Sequence, residues 1–337
     1  MKIQEAIAAL LEPRSLASEE IEGVFDRIML GDATAAQIAG LLVALRAKGE
    51  SVEEIVGAAR AMRAHSLTVQ PRSDALVDTC GTGGDGSGTF NISTAAALIA
   101  AGAGLSVAKH GNRAMSGKVG GADVLELLGV RIDLSPERVA ACIDDTGIGF
   151  LFAQVFHPAM KHAAAPRREL GVRTILNLLG PLCNPARARR QLVGLFAVEW
   201  LLPMVEALRQ LGSEHALAVH GAGGLDEISL CGATRVAELR AGRSIATYEF
   251  VPEDFGLQRC EIDELQVGDG QESAAAIRAL LEGQAGPRAD IAVLNAAAAL
   301  YVGGRAASIA EGVPLARASI SSGAAAAKLQ QWIRATQ

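Results

Sequence analysis

Through the first sixty-seven residues, apolar side chains recur at spacings of three and four. They do so at Ile3, Ile7, Leu10 and Leu11, and again at Ile21, Phe25, Ile28 and Met29, which is the period of an amphipathic helix. Thr34 with Gln37, and Ser51 with Glu54, match the capping box ahead of an apolar run. Nothing in this stretch alternates like a strand, so the pattern predicts a small all-α domain, closed by the polar stretch Val69–Asp74. The period then changes. Ala75–Cys80 reads as a short apolar strand running into a glycine loop. Further strands are expected at Leu105–Ala108, Ala216–His220 and Ile245–Phe250. Helices are expected at Ile92–Ala103, Ala122–Leu128, Pro203–Leu211, Ala274–Leu281 and Ile291–Val302. Alanine-rich tracts near residues 296 and 324 read as closely packed helices. Strands alternating with helices predict an α/β domain with a largely parallel central sheet flanked by helices.

The chain's 337 residues suit one large domain or two modest ones. Half of the residues are hydrophobic and 20% are charged, a globular composition rather than a disordered one. The net charge of −6 argues against a general nucleic-acid or anionic-membrane binder. Five cysteines (80, 142, 183, 231 and 260) contain no CxxC pair. Neither a zinc knuckle nor a disulfide framework follows, and a reducing cytoplasm fits. The N-terminus lacks the apolar run of a signal peptide, and the longest uncharged stretch, Gly86–Ala108, is too rich in Gly, Ser, Thr and Asn for a membrane span. The expectation is a soluble cytoplasmic protein.

Candidate chemistry begins at Gly81–Gly88, with five glycines in eight residues between a strand and a helix. Backbone without Cβ can approach a phosphate closely, and helix N-terminal amides attract anions. The loop contains G-x-G-x-x-G, but no Asp or Glu occurs from Gly86 to Ala122, so the ribose-binding acid of a dinucleotide fingerprint is missing. The acid-free window instead carries Lys109, His110, Arg113 and Lys118, with hydroxyls at Thr89, Ser93 and Thr94. That combination suits a multiply phosphorylated ligand, and Asn91 or Ser93 is placed to cap the following helix. His110 fits a ligand contact and a structural hydrogen-bonder equally. Asp226 and Glu227 follow three glycines in the turn after a strand. They fit either a hydrated cation or a solvated acidic turn. Arg167, Arg168 and Arg173 form either a solvated charged face or a carboxylate-binding set.

Taken together, GTGGD, NIST, KHGNR, RRELGVRTILNLLGPLCNP and HGAGGLDE, in this order and spacing, resemble the anthranilate phosphoribosyltransferase family along essentially the whole chain. The resemblance implies a phosphoribosyltransferase of nucleoside-phosphorylase-like architecture that joins anthranilate to 5-phosphoribosyl diphosphate in tryptophan biosynthesis, with Mg2+. It implies that Gly81, Gly84, Asp85, Thr89, Asn91, Ile92, Ser93 and Thr94 bind the phosphoribosyl diphosphate. Lys109, His110, Gly111, Asn112, Arg113, Ala114, Met115, Ser116, Gly117 and Gly121 would join them. Asn112 and Arg167 would face anthranilate, with Gly81 and His110 beside them. Ser93, Asp226 and Glu227 would hold the metal, and Lys109, Asn112 and Arg167 would carry the chemistry. Residues 163–185 would return to the helical domain of residues 1–70, leaving 75–162 and 186–337 as the α/β domain. A homodimer is implied as well. The chain departs from the family pattern at residues 116–123, where Gly117 and Gly121 stand in place of two hydroxyl residues. The rival readings are a pyrimidine nucleoside phosphorylase-like enzyme and a non-catalytic, nucleic-acid-binding relative. The adjacent acids and the RRELG segment weigh against the first, and the adjacent acids with the acidic balance weigh against the second.

Overall fold

The two capping boxes open two of the four N-terminal helices. Thr34 accepts from the Gln37 amide while the Gln37 side chain accepts from Thr34, and Ser51 and Glu54 repeat the exchange. In the computed structural model, which describes residues 1–113 and 119–337, the helices are α1 (Ile3–Leu11), α2 (Ser18–Leu30), α3 (Ala35–Lys48) and α4 (Val52–Ala64). Their apolar faces meet in one buried cluster with Ile21, Phe25, Ile38, Leu41 and Ile55 at its centre. Glu54 is buried there, where it takes a hydrogen bond from the Leu16 amide (3.0 Å) and an ion pair from Lys48 (3.0 Å).

After the polar link the chain alternates. It runs through β1 (Leu76–Gly81), α5 (Ile92–Gly102), β2 (Ser106–Gly111), α6 (Gly121–Leu128), α7 (Pro136–Thr146) and β3 (Ile148–Phe152). Two helices, α8 (Ala153–Phe156) and α9 (Lys161–Leu170), lead back towards the N-terminal bundle. Ala163 of α9, with Ile175, Leu176, Leu178, Leu179 and Leu182 in the 3-10 turns that follow, is buried in the same cluster as α1–α4. The chain then forms β4 (Arg190–Gly194), α10 (Leu201–Gln210), β5 (His215–Gly221), β6 (Thr234–Arg240) and β7 (Ala246–Phe250). It closes with α11 (Gly270–Leu281), α12 (Pro287–Val302), α13 (Ile309–Ser321) and α14 (Ala324–Thr336). Among the described residues no helix is long and apolar enough to cross a membrane.

The seven strands order as β3-β2-β1-β4-β5-β6-β7. The first five are parallel, and β6 and β7 add antiparallel. The direction of strand addition reverses between β1 and β4, and an open α/β sheet binds ligands at the carboxyl ends of strands flanking such a reversal. The alternation foreseen from hydrophobic periodicity is present, but it passes over β3, β4 and β6. β3, IGFLF, is buried throughout. A strand covered on both faces reads as a short apolar run rather than as an alternation. The alanine tract of α12 packs against α5, and Ala296–Ala299 are all fully buried.

At the opposite end of the sheet, Glu238 is buried and accepts from His215 Nε2 (3.0 Å), Arg240 Nε (2.7 Å), Tyr248 OH (2.9 Å) and Tyr301 OH (2.7 Å). Burial pushes its carboxyl up, but these donors outweigh burial and hold it down at about 2. A depressed folded-state pKa contributes stability above the unfolded value that is lost as pH falls. Glu238→Gln is therefore expected to lower unfolding stability by about 2 kcal/mol at pH 7. In urea titrations the gap to the wild type should close between about pH 5 and pH 2. A gap of constant size across that window would contradict the assignment.

Candidate active site

Four of the five parallel strands, β1, β2, β4 and β5, end in glycine: Gly81, Gly111, Gly194 and Gly221. Three of these strand ends lie under one segment of chain. A Cβ on Gly81 would strike the Asp226 carboxylate, one on Gly194 the Asp226 carbonyl, and one on Gly221 the Glu227 carbonyl. The acidic turn lies across the strand ends because they are bare. Gly223 and Gly224, both with left-handed φ near +80°, reverse the chain into it.

The two acids reach opposite sides of the glycine loop. Asp226 Oδ2 accepts from the Gly83 amide at 2.6 Å, and Glu227 Oε1 accepts from the Ser93 amide at 3.1 Å. Glu227 therefore satisfies an orphan donor in the first turn of α5. The expected cap by Asn91 does not form. Asn91 occupies the N-cap position without a side-chain cap bond, and its Nδ2 goes to the Val119 carbonyl while Oδ1 is buried without a partner. Ser93 uses its hydroxyl to accept from Lys109. The remaining oxygens, Asp226 Oδ1 and Glu227 Oε2, have no protein partner among the described residues. Burial raises both carboxyls. Asp85 adds to the effect at Asp226, Asp226 adds to it at Glu227, and Lys109 opposes it at both.

Lys109 is buried, and its Nζ donates to the Thr79 carbonyl at 2.5 Å and to Ser93 Oγ at 3.1 Å. Burial lowers its pKa, while Asp78 and Glu227 pull it back. Among the described residues of the basic window, His110 and Arg113 do not make the open positive field that the sequence suggests. Arg113 lines the cavity but is paired with Asp123 (2.8 Å) and Glu126 (2.6 Å) on α6, so its charge is already balanced within the protein. His110 is neutral, pushed down to about 3 by burial and then by His157. Its Nδ1 lies 3.0 Å from the Gly180 carbonyl and must donate to it, which leaves Nε2 to accept from His157 Nε2 at 3.2 Å. Both ring nitrogens are thus structural, and only the ring itself faces the cavity. Asn112 Oδ1 accepts from the Arg113 amide. Ala114, Met115, Ser116, Gly117 and Lys118 lie outside the described residues.

The glycine loop takes left-handed φ at Gly83, Gly84, Gly86 and Gly88. It is tied down through the Val267 amide to the Gly88 carbonyl (3.0 Å), the Gln266 side chain to the Ser87 carbonyl (2.8 Å), and a β-bridge between Thr89 and Gln266. Arg173 donates to the Gly84 carbonyl and stacks on Phe196. Thr94 is fully buried beneath the loop, with its hydroxyl unpartnered. A Cβ at Gly121 would sit 3.6 Å from that hydroxyl, an ordinary contact.

These groups line a cavity of about 900 Å³. One wall is the strand ends with the glycine loop, Lys109–Arg113, Val119–Gly121 and the acid pair. The other is Met62 of α4, α9 with Lys161, Ala164 and Arg167, and the turn residues Leu176, Asn177, Gly180 and Pro181. Arg167 is half-buried, and burial alone shifts its pKa, downwards. It has no hydrogen bond or ion pair among the described residues, including to Glu169. Arg168 does not line the cavity. Sequence reasoning missed Asp78, whose buried carboxylate accepts from the His110 amide (3.0 Å) and Asn184 Nδ2 (2.8 Å), tying β1 to β2 and to the 3-10 turns. Its signal was an acid in the middle of an apolar strand.

The class that this architecture defines is a glycosyl transferase with a helical bundle and an α/β domain. Residues 4–66 match the helical bundle domain of the glycosyl transferase family, and residues 73–326 match its a/b domain. Within that class the chain belongs to the anthranilate phosphoribosyltransferase family. It is 54% identical over 336 residues to the anthranilate phosphoribosyltransferase of Thioalkalivibrio sulfidiphilus, covering 100% of this chain and 99% of that one. The crystal structure of the Thermus thermophilus enzyme superposes with a TM-score of 0.93 at 46% identity, covering 98% of this chain and 99% of that one. The Saccharomyces cerevisiae enzyme in complex with PRPP and Mg does so at 0.91 and 29% identity, covering 99% and 97%.

If the bare strand ends seat the acid turn, Gly194→Ala must displace Asp226. The variant is expected to lose about 1–3 kcal/mol of stability, as forced overpacking does. Amide exchange at Gly83 and Ser93 should accelerate with it. Gly83→Ala, in open space but at φ +69°, should cost about 1–2 kcal/mol and leave exchange at Ser93 unchanged. Equal protection of Ser93 in both variants would refute the seating.

Proposed function

We propose that the chain transfers the phosphoribosyl group of 5-phosphoribosyl diphosphate to the amine of anthranilate, releasing pyrophosphate, as a step of tryptophan biosynthesis in the cytoplasm. The observation that carries this reading is the division of charge between the cavity walls. The sheet wall holds phosphate-sized glycine backbone, one buried lysine and two carboxylates with free oxygens. The helical wall holds exposed Lys161 and one half-buried arginine, Arg167, which has no ion pair among the described residues. An unmatched guanidinium in a partly dry wall favours a carboxylate ligand, which it grips bidentately.

In this reading the loop residues Gly81, Gly84, Asp85 and Thr89, the helix start at Asn91, Ile92 and Ser93, and residues Lys109–Arg113 with Gly121 contact the phosphoribosyl diphosphate, while Thr94, fully buried and off the cavity lining, supports the helix start from below. Residues 114–117 complete the set. Asp226, Glu227 and Ser93 hold magnesium. The donor set fits, being all oxygen and carrying two carboxylates raised by burial that a cation would relieve. Among the described residues no group of three or more His, Cys, Asp or Glu side chains converges on one point, which suits an ion that keeps waters and takes phosphate oxygens. When bound, magnesium neutralises charge on the diphosphate.

The chain's own groups do the rest. Displacement of pyrophosphate leaves the sugar carbon with oxocarbenium character. Lys109, fixed by Thr79 and Ser93, places a positive charge beside the leaving group without needing to reorganise. Arg167 holds the anthranilate carboxylate and thereby turns the amine towards the sugar carbon, with Asn112, Gly81 and the His110 ring bounding the slot. No general base is assigned, since both nitrogens of His110 are committed; the proton that the amine sheds once the C–N bond has formed goes to the departing pyrophosphate or to water.

We further propose that residues 1–70 and 163–185 act as one unit against the α/β domain of 75–162 and 186–337, and that the chain is a homodimer through the helical unit. Leu11, Leu30 and Val43 stay exposed on α1–α3 in support of this.

The test is loss of anthranilate fluorescence on adding 5-phosphoribosyl diphosphate and Mg2+. Arg167→Ala should raise the anthranilate KM about tenfold or more and lower kcat, leaving the KM for 5-phosphoribosyl diphosphate nearly unchanged. Arg167→Lys should recover only part, since it lacks the planar fork. Equal losses for both substrates would make Arg167 structural. Asp226→Asn with Glu227→Gln should cut turnover by about 10² or more. Normal turnover of that double variant at limiting magnesium would remove the pair from the metal site.

A further inference from the structure

The acid pair sits on a stretch of chain with almost no secondary structure to hold it. After β5 ends at Gly221, only the 3-10 turn Ala222–Gly224 and a single bridge between Gly221 and Leu225 precede β6 at Thr234. No ladder runs alongside residues 226–230. Yet Leu225 and Ile228, on either side of the two acids, are fully buried, and buried backbone groups in irregular chain must still find partners.

The partner of Ile228 comes from 67 residues further along. Asn295 lies within α12, where every residue from Ile291 to Val302 is buried. Asparagine is a mediocre helix former and an expensive side chain to bury. Here its amide is used completely. Oδ1 accepts from the Ile228 amide at 3.0 Å, while Nδ2 donates to the Ile228 carbonyl at 2.9 Å and to the Ile291 carbonyl one turn back at 2.9 Å. For the single residue Ile228, the side chain replaces the neighbouring strand that is missing.

The Ile228 N–H belongs to the same peptide plane as the Glu227 carbonyl, and that carbonyl packs on Gly221 closely enough to exclude a Cβ there. The plane is therefore clamped from both sides, by the Asn295 amide on its N–H and by bare Gly221 under its carbonyl. Fixing this plane fixes the direction in which the Glu227 side chain leaves the backbone, and with it the reach of Oε1 to the Ser93 amide.

We infer that Asn295 is a positioning residue for the reaction, whose side-chain amide, together with Gly221, fixes the Glu227–Ile228 peptide so that Asp226 and Glu227 present their free oxygens to a divalent cation and the diphosphate. This rests on the reading of the pair as the cation site. Asn295 touches no substrate and does not line the cavity. Its effect is on the diphosphate end of the reaction alone, opposite to that of Arg167.

Asn295→Leu keeps the size and removes all three hydrogen bonds. Without ligands, amide exchange across residues 225–231 should accelerate. Affinity for Mn2+ with inorganic pyrophosphate, read by calorimetry, should fall about tenfold or more, as for other groups that orient metal ligands. In turnover assays the KM for 5-phosphoribosyl diphosphate should rise about tenfold, with the anthranilate KM within about twofold of wild type. If Asn295→Leu does not fold, Asn295→Ala and Gly221→Ala, which loosen the two sides of the clamp separately, should each give the same split. A variant set that changes both KM values together, or leaves Mn2+ affinity intact, overturns the inference. Loss of Mn2+ affinity in the Asp226→Asn, Glu227→Gln protein but not in the Asn295 and Gly221 variants overturns the positioning role and leaves the cation site standing. Intact affinity in all of them overturns the cation site itself.

Discussion

The absence of a Cβ at Gly81, Gly194 and Gly221 governs the rest of the site. Three parallel strands end in bare backbone, and the Asp226–Glu227 turn lies directly across them. Both acids are thereby brought within hydrogen-bond reach of the glycine loop on one side and the first turn of α5 on the other. Methyl groups at those three positions would lift the turn off the sheet and separate elements that are far apart in sequence. The reversal of strand order between β1 and β4 opens the crevice, and the glycines let acidic chain enter it.

That placement holds like charges together in poorly solvated surroundings, which is unfavourable until something positive arrives. Lys109 supplies part of the compensation, and its own pKa is lowered by the same burial. Among the described residues beside it, two others add little. Arg113 is spent on Asp123 and Glu126, and His110 is neutral between Gly180 and His157. Across the cavity the mismatch is reversed, with Arg167 lacking a carboxylate partner among the described residues. Residual imbalances of this kind concentrate where ligands complete the electrostatics. In the proposed reading a cation and a phosphorylated sugar would answer one wall and a small carboxylic acid the other.

The helical wall is not an independent lid. Arg173 bonds to the glycine loop, Gly180 bonds to His110, and Asn184 bonds to Asp78 and to the Ala108 carbonyl. These bonds cross from the turns near the bundle to the glycine loop, to the end of β2 and to the interiors of β1 and β2. The wall that would select the acceptor is thus registered on the same strands that carry the phosphate loop, and the two halves of the cavity share one frame.

Local pattern alone determined the four N-terminal helices with both capping boxes, the alternation of strands and helices, and the glycine loop. Each rests on residues within a turn or two of one another: hydrophobic period, cap chemistry, and backbone freedom at Gly83, Gly84, Gly86 and Gly88. The motifs in order also determined the family. Local pattern did not separate a cation site from a solvated turn at Asp226 and Glu227, because adjacent acids look the same in either setting. Only tertiary structure decided that Glu227 rather than Asn91 caps α5, that Arg113 is neutralised while Arg167 is not, and that Asp78 and Asn295 matter at all. These are contacts between residues from ten to well over a hundred positions apart, such as Arg113 with Asp123 and Ser93 with Glu227. Their energetics depend on burial and on which partner is nearer, quantities that exist only once the chain has folded.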